Sequence, residues 1–227
     1  RSRGLGDVYK RQTLHSALEA LNEGDIDALV AHELIVRGFK TLRSYSSLRV
    51  LGQSALPKSG FAFAVRRDDP QLQALIDRAL NSLDDEMGHV ILSRWHAEHL
   101  GAVGQQHIQL LPREHAWIKQ NPVVIVASQQ YPPYVFKNGE QRWEGLNADI
   151  LARISHMTGL QFVHQESAST AQTLELLKTG KAQMNTTLAK NAERQAYLNF
   201  TYSYGGAPWV FVVRNNDFRL SSLDQLA

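Results

Sequence analysis

Tyr131-Pro132-Pro133-Tyr134 is the stretch with the most chemistry to offer. Each proline fixes φ near −65° and disfavours helix in the residue before it, so two phenol rings are carried on a stiff, extended loop. Such rings can stack on a small solute or hydrogen-bond to it. The plainer alternative is a rigid, partly buried turn. Nine histidines raise a metal reading. It would use His96 and His99, three residues apart, with Glu98 and His107 nearby. These lie in or beside the Gly- and Gln-rich stretch 97–110, which reads as an exposed linker, so no metal is assigned. The chain has no cysteine, which removes disulfide and thiolate chemistry. No paired carboxylates fall in the loops that would border a cleft, so no catalytic residue is assigned and no cofactor is implied.

The elements around the loop give it a place. Val123 to Ala127 is a run of β-branched and small apolar residues, which reads as a strand buried on both faces. Asn138-Gly139 turns the chain, and Asn147 is placed to cap a helix. Leu146, Ile150, Ile154 and Met157 line its inner face until Gly159 stops it. A loop just past the carboxyl end of a parallel strand is where open α/β sheets hold their ligands. Beyond it come a strand at Leu160–His164, a helix capped by Ser169 or Thr170, and a strand at Ala182–Thr187. A short helix at Ala192–Leu198 and a strand at Trp209–Arg214 follow, and Leu220–Ala227 begins a further helix.

Upstream, Leu14, Leu18 and Leu21 mark a helix and Ile26–Ala31 a strand. Glu33–Thr41 reads as a short helix, with strands at Leu48–Gly52 and Gly60–Arg66. Asp68-Asp69-Pro70 opens a long amphipathic helix with Leu72, Leu75, Ile76, Ala79, Leu80 and Leu83 inside, and Met87–Trp95 reads as another. Leu111–Pro122 is a short helix leading into the strand at 123. Alternating strands and helices predict an α/β fold with mostly parallel sheets.

Residues 1–12 have no apolar period and look like an adaptor or read-through artefact. They hold four basic groups and one acidic, which leaves 20 basic and 21 acidic groups over 13–227. That balance gives no case for nucleic acid. The 43% hydrophobic content is ordinary for a soluble globular protein. No apolar run approaches the roughly 20 residues of a membrane span.

A resemblance gathers these pieces. Tyr131-Pro132-Pro133-Tyr134, Glu144 to Asp149 (EGLNAD), Leu176 to Lys181 (LLKTGK) and Glu193-Arg194 through Leu198–Thr201 to Tyr204 resemble, in this order, the first lobe of a type II periplasmic solute-binding (Venus flytrap) domain. Gly24 to Ala28 (GDIDA), the strand exit Phe63–Asp69 and Arg94-Trp95 resemble the second lobe and closing helices of another. Pro112 to Pro122 (PREHAWIKQNP) is similar to the connector between tandem flytraps in BvgS/EvgS-type sensor histidine kinases. The resemblance implies two incomplete flytraps. Residues 13–96 would be the second lobe and C-terminal helices of the first, 97–122 a linker and connector helix, and 123–227 the truncated first lobe of the second.

The resemblance also implies a function. It is the periplasmic, ligand-sensing region of a membrane-anchored, dimeric histidine kinase, with a small amino acid or carboxylate as ligand. A solute-binding protein of an ABC-type amino-acid transporter is the alternative. In flytraps of this kind an arginine after the third strand grips the ligand carboxylate, and Arg194 holds that position. Tyr131 and Tyr134 would face the cleft, and Thr186 and Thr187 could supply hydroxyls. His32 stands where the family's second lobe presents an acidic group. Two departures stand beside these matches: Lys190-Asn191-Ala192 where the family often has Thr, and Gln183 where it often has Asp.

Overall fold

The computed structural model describes residues 14–36, 47–56, 59–83, 91, 108 and 110–215. The anticipated helix at 87–95 apart from Ile91, His96, most of the stretch 97–110 with Glu98, His99 and His107, the first twelve residues and the helix at 220–227 lie outside them.

The chain divides into two compact units, Arg1–Lys58 with Ala207–Ala227, and Ser59–Gly206. These units cut across the segments 13–96 and 123–227 that the resemblance implies. The reason is strand pairing. In the larger unit a five-stranded sheet has the order β10 (Leu198–Phe200), β4 (Ala64–Arg66), β9 (Met184–Asn185), β5 (Val123–Ser128), β8 (Gln161–Glu166). An early strand, β4, therefore lies between two late ones, antiparallel to both. β5 runs parallel to β8 and β9. The sheet is mixed where a mostly parallel one was expected, because the two pairings made by β4 reverse its direction.

Helix α2 (Pro70–Asn81) fixes β4 in place. The Asp69 side chain accepts from the Leu72 amide at 3.1 Å and caps the helix, and Pro70 opens it. Leu72, Leu75, Ile76, Ala79 and Leu80 are buried, and burying a leucine or isoleucine side chain stabilises by roughly 1.5–3 kcal/mol. Polar contacts bind the same segment to the late strands. Asp77 accepts from the Tyr202 amide at 2.6 Å, and the Gln73 side chain donates to the Phe200 carbonyl at 3.0 Å. The exposed helix α3 (Pro112–Gln120) is joined to α2 by the Arg78–Glu114 ion pair, 3.1 Å.

α4 (Leu146–Thr158) buries Leu146, Ile150, Leu151 and Ile154 and ends on Gly159, whose φ of 79° is the left-handed conformation that glycine adopts most readily. Its N-cap is Gly145, not Asn147 as the sequence suggested. Ser169 caps α5 (Thr170–Lys178) by accepting from the Gln172 amide, and α6 is the short helix Ala192–Gln195. The expected strand at 60–66 is split into β3 (Ser59–Phe61) and β4, and that at 182–187 shrinks to two residues. Asn138-Gly139 turns the small hairpin of β6 (Phe136–Lys137) and β7 (Trp143–Glu144).

The smaller unit holds α1 (Leu14–Glu23) and an antiparallel sheet in the order β1 (Leu29–His32), β12 (Trp209–Arg214), β2 (Leu48–Gln53). The Arg214 guanidinium donates to the carbonyls of Leu21 at 2.9 Å and Ile26 at 2.6 Å, tying the end of β12 to the helix and the turn after it.

Candidate ligand site at the carboxyl ends of the parallel strands

The three parallel strands β5, β8 and β9 all deliver chain to one end of the larger sheet, where an open α/β sheet forms its crevice. The segment after β5 is the Tyr131–Tyr134 loop, that after β8 leads to the amino end of α5, and that after β9 is Thr186–Leu188.

The aromatic loop is a closed turn. The Tyr131 amide donates to the Val135 carbonyl at 2.6 Å, and the Tyr134 amide to the Tyr131 carbonyl at 2.9 Å; the Pro132–Pro133 peptide is cis. The two tyrosines occupy different environments. Tyr134 is 2% exposed, its ring 4.2 Å from that of Phe61 and 6.0 Å from that of Tyr131. It forms the floor of the loop. Tyr131 is half-buried. Burial raises both phenols above their ordinary range, so they are neutral hydrogen-bonding groups.

The structure ties Tyr134 to Thr186 through Asn147. The Asn147 backbone amide donates to the Tyr134 carbonyl at 2.8 Å, while its side-chain Nδ2 donates to the Thr186 carbonyl at 2.9 Å. The Tyr204 hydroxyl donates to that same carbonyl at 2.8 Å. Asn147, Thr186 and Tyr204 are all buried. Three further polar atoms there, Tyr134 Oη, Asn147 Oδ1 and Thr186 Oγ1, have no hydrogen-bond partner among the described residues. Thr186 is thus part of the framework, and its neighbour Thr187 is half-buried. The Asn185 side chain shapes this turn by accepting from the amides of Thr187 at 2.7 Å and Leu188 at 2.8 Å.

Arg194 stands on α6, capped by Asn191, which occupies one of the positions that departed from the family pattern. Its guanidinium donates to the Ala189 carbonyl at 2.7 Å, which places it beside the chain that leaves Thr187. Gln183, the other departure, braces the sheet, where its Oε1 accepts from the Ile125 amide at 2.8 Å between strands. Trp143 packs on His164, ring centroids 5.1 Å apart.

His32 is in the smaller unit, 2% exposed, with its ring 4.3 Å from that of Trp209. Burial lowers its pKa from 6.5 to about 4, so it is a neutral imidazole near pH 7. Asn147, Asn185 and Tyr204 were missed as site residues in the sequence. Asn147 carried one signal, a polar residue on the apolar side of a helix.

Residues 123–220 match the family model of bacterial extracellular solute-binding proteins, family 3. Over 219 residues, 93% of this chain, the sequence is 24% identical to the virulence sensor protein BvgS of Bordetella pertussis, and it spans 18% of that protein's length. It is 23% identical over 202 residues to the sensor protein EvgS of Escherichia coli K12, covering 88% of this chain and 17% of the relative. A solved ABC transporter/periplasmic binding protein from Brucella ovis with glutathione bound covers 96% of this chain. The match extends over 51% of that structure's own chain, with a TM-score of 0.51 and 12% identity. That likeness shows the fold, the α/β architecture of periplasmic binding proteins.

Proposed function

Since residues 123–220 match the model of the bacterial extracellular solute-binding proteins, family 3, we propose that this chain is part of the periplasmic ligand-sensing region of a transmembrane two-component sensor histidine kinase. The observation that carries the reading is the extent of the similarity to BvgS, which runs through both halves of the chain. On this reading 13–96 derives from one flytrap, 97–122 connects, and 123–227 opens a second. The kinase is membrane-anchored and dimeric.

The ligand is a small anionic solute, an amino acid or carboxylate. Arg194 grips its carboxylate, with one guanidinium nitrogen held on Ala189 and the others left for a two-pronged contact. Tyr131 and Thr187 border it, while Tyr134 and Thr186 support them from below. Ligand-dependent closure of the flytrap then biases the kinase, which needs a difference of only about 1–3 kcal/mol between states.

The test is calorimetry on a longer protein holding both flytraps entire, against a panel of amino acids and small carboxylates, with kinase autophosphorylation followed in parallel. Binding of an anion that also changes autophosphorylation supports the proposal. Binding with no effect on the kinase favours a transport role, and the absence of binding removes sensing by this domain.

A further inference from the structure

Among the described residues, Asn147 is the one that bonds to both the Tyr131–Tyr134 loop and the Thr186–Leu188 turn, through its main chain to Tyr134 and through its side chain to Thr186. It is fully buried on the first turn of α4, a helix anchored by Ile150, Leu151 and Ile154. The second donor to the Thr186 carbonyl, the Tyr204 hydroxyl, comes from outside the helix. An amide is well suited to this position. Its Nδ2 donates to a carbonyl, whereas a carboxylate of the same shape would set negative charge against that carbonyl. Orientation of the amide follows from its partner, since the reversed rotamer would oppose two acceptors.

We infer that Asn147 is a positioning residue that sets the spacing of the Tyr131–Tyr134 loop and the Thr186–Leu188 turn, and so the width of the solute site. Placing a solute there rests on the function proposed above; the clamp itself does not. The test substitutes Asn147→Asp, which keeps the shape and removes the donor. A buried carboxyl facing a carbonyl recovers the hydrogen bond only when protonated, so lowering the pH should repair this variant. The titratable groups around it do not interfere. The hydroxyls of Tyr131, Tyr134 and Tyr204 stay neutral, all raised by burial, and Asp149 sits further along the same helix.

Hydrogen–deuterium exchange on the whole chain, read as the ratio of variant to wild type at each pH, separates the outcomes. At pH 7.5, exchange of the Thr187 and Leu188 amides should rise about tenfold, the effect of the lost hydrogen bond to their turn, and that of Tyr131, Tyr134 and Val135, still held by the main-chain amide of residue 147, should rise less. At pH 5 the ratio should return toward one. A ratio unchanged at pH 7.5, or raised equally at both pH values, overturns the inference. If Asn147→Asp does not fold, Asn147→Ala is measured instead, and it must loosen the Thr186–Leu188 turn while sparing the α2 amides. Uniform loosening would mean a merely structural role and would likewise overturn the inference. A solute panel that finds no ligand defeats the proposed function but leaves this exchange result intact.

Discussion

Gly145 sits so close beneath Tyr134 that a β-carbon added to it would stand 2.5 Å from the Tyr134 carbonyl oxygen and 2.8 Å from that of Pro133. Those two oxygens accept from the first amides of α4, Asn147 at 2.8 Å and Leu146 at 3.0 Å. The otherwise unpaired donors of a helix start therefore end on the aromatic loop. Loop and helix form one rigid piece because the residue between them has no side chain.

Gly145→Ala should accordingly destabilise the larger unit by more than about 1 kcal/mol, since a φ of 122° and a backbone overlap both oppose alanine. Urea unfolding monitored by tryptophan fluorescence measures this. A midpoint equal to wild type would show that the loop can move aside without loss.

Ile150 is wholly buried on the inner face of α4. Ile150→Ala removes three methyl or methylene groups from that core and should cost about 2–5 kcal/mol. A loss below about 1 kcal/mol by the same urea assay would place this face of the helix in a looser setting than the structure shows.

Several local elements were legible in the sequence because one residue type decides them, though the cap of α4 fell to Gly145 rather than Asn147. Asp69-Pro70 started α2, Gly159 ended α4, Ser169 capped α5, and Val123–Ala127 read as a strand from its β-branched run, one residue short of the observed Val123–Ser128. What was not legible depends on distant pairing. Nothing in Ala64–Arg66 says that it will lie between Met184–Asn185 and Leu198–Phe200, because an apolar strand carries no mark of its neighbours. The candidate site shows the same limit. Tyr131, Tyr134, Thr186 and Arg194 stood out by type and order, but the roles of Asn147 and Tyr204 depend on one backbone carbonyl, and sequence does not say where a carbonyl points.

A buried imidazole, His32, and a half-buried one, His164, give the stability a pH dependence. Burial lowers both His32 and His164 from 6.5 to about 4. The unfolded chain therefore takes up more protons between these values, so the stability they allow is present above pH 6.5 and lost as the pH falls toward 4. Asp69 and Asp77, raised by burial, act in the opposite sense at the acid end, because protonating them favours the folded chain. The urea midpoint should decline from pH 7 to pH 4.5, and in an NMR titration neither imidazole should titrate above pH 5. A His164 signal with a midpoint near 6.5 would contradict its partial burial beside Trp143 and Ser128.

Arg194→Lys tests the recognition of charge most sharply, because it preserves the charge and removes the fork. The wild-type guanidinium spends one nitrogen on Ala189 at 2.7 Å, and that bond steadies the plane in which the remaining donors lie. A lysine ammonium at this position would have to choose between the same carbonyl and the solute, with a flexible stem and no fixed plane. If a carboxylate is the ligand, the lysine variant should bind it about tenfold or more weakly, a loss on the scale of one charge-assisted hydrogen bond, roughly 1.5–3 kcal/mol. Arg194→Ala should lose more. Calorimetry on the longer protein reads both, and unfolding curves for the variants check that the short helix α6 survives. Equal affinity of wild type and Arg194→Lys for every anion, or a preference of the site for neutral solutes alone, would mean that Arg194 serves only to hold the turn at Ala189. The carboxylate contact would then have to be sought elsewhere along the loops after β5, β8 and β9.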